Sequence, residues 1–181
     1  MADITQAVEF VLHQEDARLS GAITTLPGDR GGPTRFGLAS RFHPDLVKQG
    51  YFSLNEDGSP EIPHDDALAI AEAVYAEQYG TCLQIDQIAS QDIADRLLSF
   101  AINEGPHEAV TLAQRACADC GHPTTVDGLM GPNTVAALNA CDPDQWRQAN
   151  AARQAQFYRN LVAARPAMLP ELAGLLNRAN A

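Results

Sequence analysis

The chain has 181 residues, 45% hydrophobic and 19% charged, which is enough to bury a core without disulfides or a metal and too apolar for disorder. Its formal net charge is -11, and its 12 Lys and Arg form no cluster along the sequence, which argues against a nucleic-acid partner. No apolar run reaches the length of a membrane span, so stable membrane insertion is not expected.

The start, M-A-D-I-T-Q-A-V-E-F-V-L-H-Q-E-D, has no basic segment followed by a continuous apolar stretch. It therefore reads as a protein made in the cytoplasm without a standard secretory signal. The spacing of Ile4, Val8, Val11, Leu12 and Leu19 predicts a first helix over about 4–18. Residues 20–64 differ in kind. Gly21, Gly28, Gly31, Gly32 and Gly37 fall close together there, as expected for tight turns and a small hairpin. Asp66 can cap a helix reaching Tyr79, with Gly80 as its stop. Ser90 can cap the next, which carries Ile93, Leu97 and Phe100 and ends at Gly105-Pro106. Further helices are predicted over 107–119, 133–139, 143–164 and 170–178. The fold class is thus all-α with a small irregular or β-hairpin lobe. Two parts, 1–88 with the Gly-rich lobe and 89–181, are expected to pack as one compact unit.

Glu15 continues the apolar face of the first helix, following Val11 and Leu12 and preceding Leu19. A carboxyl group so placed would lose solvation, which favours the protonated form that a glycosidic oxygen needs. The other reading of the pattern lets Glu15 fray into water beside Asp16 and Arg18. Next comes D-R-G-G-P-T-R-F-G, from Asp29 to Gly37. Its paired glycines allow a sharp turn and close approach to a backbone or a sugar. Asp29 and Thr34 place a carboxylate and a hydroxyl on either side of that turn.

Glu15 at a helix end followed by D-R-G-G-P-T-R-F-G resembles the signature of glycoside hydrolase family 108, lysozyme-like N-acetylmuramidases. Downstream, S-F-A-I-N-E-G (99–105) looks like the family's D-F-A-V-N-S-G, with Asn103 in register. V-D-G-L-M-G-P-N-T (126–134) is similar to its predicted peptidoglycan-binding C-terminal region. R-Q-A-Q-F-Y (153–158) and G-L-L-N-R (174–178) resemble its closing segments. The order is preserved over nearly the whole chain. Departures are Asp16 and Ala17 in place of the glycines after the glutamate, Ser99 for an aspartate, and Leu175 for a tryptophan.

The resemblance implies a lysozyme-like fold, with 1–88 as the catalytic part and 89–181 as a peptidoglycan-binding-like part. It implies cleavage of the muramic acid to glucosamine bond of bacterial peptidoglycan by general acid catalysis, with water and no cofactor. Glu15 is then the proton donor. Asp29 is the candidate second carboxylate, or Thr34 holds the water instead. Gly31, Gly32, Phe36, Tyr79 and Asn103 are expected substrate contacts. Such a protein would act in the periplasm or at the cell wall as a phage endolysin or an injected antibacterial effector, the latter with an immunity protein or secretion machinery as partners. The alternative is a non-catalytic peptidoglycan-binding protein.

Other positions have plainer readings. Tyr75 and Tyr79 share a helical face and form either a sugar platform or core. Asn103 binds an acetamido group or ties off a helix end. Arg153, on the stripe of Trp146, Ala149 and Phe157, is expected as a buried ion pair. The V-D-G-L-M-G-P loop is expected to turn the chain tightly. Cys117 and Cys120 form C-x-x-C, but no second pair completes a zinc set. Core packing is the favoured reading of these two, no metal is expected, and the pairing of Cys82, Cys117, Cys120 and Cys141 stays open.

Overall fold

The computed structural model describes residues 1–16, 18–25 and 31–180, the side chains of Arg178 and Asn180 excepted. It is mostly helical, with one small antiparallel sheet. It divides into two compact units, one formed by Ile4–Gln78 and the other by Met1–Asp3 with Tyr79–Ala181. Among the described residues no helix is long and apolar enough to cross a membrane.

In the N-terminal unit, α1 (Ile4–Glu15) buries Ala7, Val8, Val11 and Leu12, the face its periodicity predicts. It packs against α3 (His64–Tyr75), whose buried Ala67, Ala71 and Tyr75 recur every four residues and so share one face of the helix. Between them lies the lobe that lacks a helical period. Strands β1 (Thr34–Arg35) and β2 (Leu38–Ala39) pair antiparallel, with Arg35 opposite Leu38 and Thr34 opposite Ala39. Thr24 bridges to the outer side of Thr34. The lobe also holds α2 (Pro44–Lys48), a single turn that hydrophobic periodicity does not reveal. After Tyr75 the chain continues as a π-helical turn, Ala76–Gly80. That turn interrupts the 3.6-residue period on which a shared Tyr75 and Tyr79 face depends.

The C-terminal unit is built from α4 (Gln91–Glu104), α5 (Pro106–Asp119), α6 (Pro132–Ala140), α7 (Pro143–Ala164) and α8 (Leu172–Asn180). Its punctuation follows the sequence. Ser90 Oγ accepts from Ile93 N at 3.4 Å and caps α4. Gly105, at φ 93°, ends it, and Pro106, Pro132 and Pro143 each open a helix where a missing N–H costs nothing. α7 packs on α4, α5 and α8. Its buried stripe is Trp146, Asn150, Gln154, Tyr158 and Val162, a four-residue repeat that leaves Arg153 one position outside it. Arg153 is therefore not buried. It is 43% exposed and pairs through two hydrogen bonds with Asp119, Nε to Oδ2 at 2.8 Å and Nη2 to Oδ1 at 2.6 Å.

The V-D-G-L-M-G-P loop is pinned by one buried side chain, Gln114, which is 0% exposed. Its Nε2 donates to Asp127 Oδ1 at 2.8 Å, Thr134 Oγ1 at 3.0 Å and Leu129 O at 3.2 Å. Its Oε1 accepts from the amides of Asp127 and Gly128, both at 3.0 Å. Gly128 takes a positive φ of 70° and lies against the His107 ring, so only glycine fits that corner. The four cysteines are free thiols, and no group of metal-ligating side chains gathers among the described residues. Burial pushes the Cys117 thiol up, the behaviour of a small core hydrophobe rather than a nucleophile.

Candidate active site

Glu15 is the last residue of α1, and the chain beyond it forms an anchored turn rather than a fraying end. Asp16 N continues the helix with a bond to Leu12 O at 2.8 Å. The Asp16 carboxylate accepts from Ser20 Oγ at 2.8 Å, Gly21 N at 3.1 Å and Arg18 N at 3.2 Å. Burial acts to raise its pKa, but these hydrogen bonds outweigh burial and hold the group below the ordinary carboxylate value. Leu19 and Gly21 carry positive φ in this turn. His64 Nε2 donates to Leu19 O at 2.7 Å while its Nδ1 meets Asp65 Oδ1 at 2.8 Å. Those two acceptors raise the His64 pKa. Asp16 stands where the family signature has glycine, and its carboxylate supplies the turn with fixed acceptors.

The hairpin opposite Glu15 is held just as firmly. Phe36 (φ 48°) and Gly37 (φ 78°) are both left-handed, the requirement of a type I′ two-residue turn. Phe36 is not a residue that favours this conformation, and three contacts hold it there. Its carbonyl accepts from Tyr75 Oη at 2.9 Å. Its ring is 2% exposed and meets His64 edge-on at 5.5 Å. The same ring lies so close to Gly21 that a Cβ there would sit 2.6 Å from it. Arg35, 1% exposed, donates from Nε to Gly21 O at 2.9 Å and from Nη1 to Ile62 O at 2.9 Å and Tyr51 O at 3.4 Å. Its guanidinium also lies over the Tyr51 ring at 5.4 Å. This buried cation ties the hairpin to the helix-one turn through backbone carbonyls and a ring face.

The result is a cleft of about 360 Å³ lined by Glu15, Asp16, Ser20, Ala22, Thr24, Thr34, Phe36 and Gly37, within the range of small-ligand sites. Glu15 is half-buried at its wall. A Cβ built on Gly37 would lie 2.9 Å from Glu15 Cγ and 2.5 Å from Tyr75 Oη, so the bare backbone of Gly37 is what gives the glutamate side chain its room. Thr34 Oγ1 donates to Gly32 O at 3.2 Å, which leaves its lone pairs available as acceptors. Two carboxylates, three hydroxyls and one aromatic residue line the cleft, and such a lining can bind a pyranose and deliver a proton to it.

Of the other expected site residues, Asp29 lies outside the described ones. Gly31 and Gly32 face Ser40 and Arg41: Gly31 O accepts from Arg41 N at 3.1 Å, and a Cβ on Gly32 would lie 2.7 Å from Ser40 Oγ. They shape the hairpin from behind and are not part of the cleft lining. Tyr79 belongs to the C-terminal unit, half-buried in the π turn, where burial raises its pKa. Asn103, in the same unit, donates from Nδ2 to Ser99 O at 2.8 Å near the end of α4. Tyr75 is core, 1% exposed. Asp16, Gly37 and Arg35 were not singled out by sequence reasoning. An arginine inside the hairpin segment and a glycine two residues after it point to Arg35 and Gly37, and no spacing signal marks Asp16.

Residues 8–105 match the family model described as Glycosyl hydrolase 108, and residues 108–180 match one described as Predicted Peptidoglycan domain. No curated protein matches the sequence. Among solved structures, Brucella abortus SagA is similar in fold, with a TM-score of 0.64 at 20% identity over 97% of this chain and 92% of that one. The family match alone spans more than half of the sequence and includes every residue of the cleft. The chain belongs to glycosyl hydrolase family 108, and it is a peptidoglycan hydrolase of the lysozyme type with a C-terminal peptidoglycan-binding domain.

Proposed function

We propose that this hydrolase is an N-acetylmuramidase whose proton donor is Glu15. The observation that supports the reading is the presence of Glu15 and Thr34 in the lining of one polar cleft, inside the part of the chain that matches the hydrolase family. In the reaction the bond between C1 of the muramic acid sugar and the bridging oxygen breaks, and the Glu15 proton goes to that oxygen as it leaves. Water adds to C1 and gives up a proton. Thr34, its own proton committed to Gly32 O, accepts a hydrogen bond from that water and orients it. The Asp16 carboxylate, kept ionised by its three donors, adds a fixed negative charge near the oxocarbenium-like state. Asp29 remains the candidate base for the water proton. Phe36, its ring buried against Gly21 and His64, fixes the hairpin wall of the cleft.

The test uses purified sacculi. Glu15→Gln is expected to lower the rate of reducing-end release by about two to four orders of magnitude, and Thr34→Val by a smaller factor. Mass spectrometry is expected to show products ending in reducing muramic acid. Products ending in reducing glucosamine or in anhydromuramic acid would overturn the muramidase assignment. A fully active Glu15→Gln would overturn the proton donor. Because the substrate lies outside the cytoplasm, we propose release as an endolysin or injection as an effector as the two routes to it.

A further inference from the structure

The C-terminal unit holds a second groove, of about 760 Å³, walled by α4, α7 and α8. Its lining brings together three of the chain's twelve basic residues, Arg96, Arg147 and Arg159, with Gln148 and Gln156 and a small-residue floor that includes Ala152. Among the described residues no carboxylate lines it, in a protein whose net charge is -11. Asp92 takes only the Nε edge of Arg96, at 3.0 Å, and Asp144 only Nη2 of Arg147, at 2.7 Å. Arg159 makes no ion pair or hydrogen bond with a described residue. Each guanidinium therefore keeps several donors in the fork geometry that matches a carboxylate.

We propose that this groove binds the stem peptide of peptidoglycan through its carboxylates. The inference rests on the C-terminal unit being the peptidoglycan-binding part of the hydrolase. The glycan strand carries its muramic carboxyl as an amide, so the peptide is where uncapped carboxylates lie. The arginines take those groups, the glutamine amides pair with the peptide backbone, and the small floor admits an extended chain. Because an acidic protein repels an anionic ligand at long range, recognition depends on short-range pairing, and the long-range repulsion is the part that salt screens most.

The experiment measures fluorescence anisotropy of fluorescein-labelled L-Ala-γ-D-Glu-L-Lys-D-Ala with the full chain, at low and high salt. The Arg147→Gln/Arg159→Gln double variant is expected to weaken binding by about tenfold or more, the factor expected for loss of a charge-assisted hydrogen bond. Arg147→Lys/Arg159→Lys is expected to retain part of the affinity. The double Gln variant is expected to show a raised KM on intact sacculi and an unchanged rate on peptide-stripped glycan strands. An unchanged thermal midpoint confirms that both variants fold. Peptide affinity within about twofold of wild type in the double Gln variant overturns the proposal, as does a groove occupied equally well by inorganic phosphate. If the unmodified protein cleaves neither intact nor stripped strands, it is the hydrolase reading that fails, and the anisotropy measurement still decides the groove.

Discussion

Replacing Gly37 with alanine tests the link between the hairpin and the glutamate. The new methyl group would occupy a position 2.5 Å from Tyr75 Oη and 2.9 Å from Glu15 Cγ, on a backbone at φ 78°. The left-handed conformation alone costs alanine about 1–2 kcal/mol. Tyr75 cannot retreat without giving up its bond to Phe36 O, and losing a buried hydrogen bond adds about 1–2 kcal/mol. Glycine-to-alanine is therefore expected to destabilise the N-terminal unit by about 2–4 kcal/mol. Glu15 must also move, and with Glu15 as the proposed proton donor a displacement of about 1 Å is expected to lower turnover by about 10²-fold. Urea denaturation and turbidity loss of sacculi measure the two effects separately. Tyr75→Phe removes the oxygen that meets the new methyl, so Gly37→Ala should cost about 1 kcal/mol less in that background than in the wild type. If the two substitutions simply add, or if Gly37→Ala lyses sacculi at the wild-type rate, the packing argument is wrong.

Two further outcomes are expected. Asp16→Asn removes a carboxylate whose folded pKa is depressed below 3.8. The stability it contributes is present above the unfolded value and is lost as pH falls through the folded one. Asp16→Asn should therefore be less stable than wild type near neutrality, by less than about 1 kcal/mol for so solvated a group, which a lowered thermal midpoint reads out, and the gap should close as pH drops below about 4. Gln114→Ala strands the Asp127 and Gly128 amides. It should destabilise the C-terminal unit by about 2–4 kcal/mol, speed hydrogen exchange at those amides, and leave cleavage of peptide-stripped glycan unchanged.

Much of the architecture is legible from local pattern. The α7 bounds, the Ser90 cap and the Gly105-Pro106 break follow from propensities that act within one or two turns. The α3 terminus does not. A helix expected to run from Asp66 to Tyr79 begins at His64 and passes into a π turn after Tyr75, because an i to i+5 bond leaves no mark on hydrophobic spacing. Arg153 shows a related limit. Which of two adjacent stripes of α7 is buried depends on the rotation of the helix against α4 and α5. Phe36 shows another, since a phenylalanine in a left-handed turn is held by a tyrosine hydroxyl far along the chain.

The order of motifs, the helical face that carries Glu15 and the glycines that permit a tight lobe are properties of the sequence alone. They suffice for the family and the reaction class, because residue type and local spacing encode both. The cleft itself is a product of tertiary structure. The depth at which Glu15 sits, the anchoring of its neighbouring turn by Asp16 and the room left by Gly37 arise where segments distant in sequence meet. The arginine-lined groove has the same origin, since Arg96 and Arg159 come from different helices and no one-dimensional window contains both.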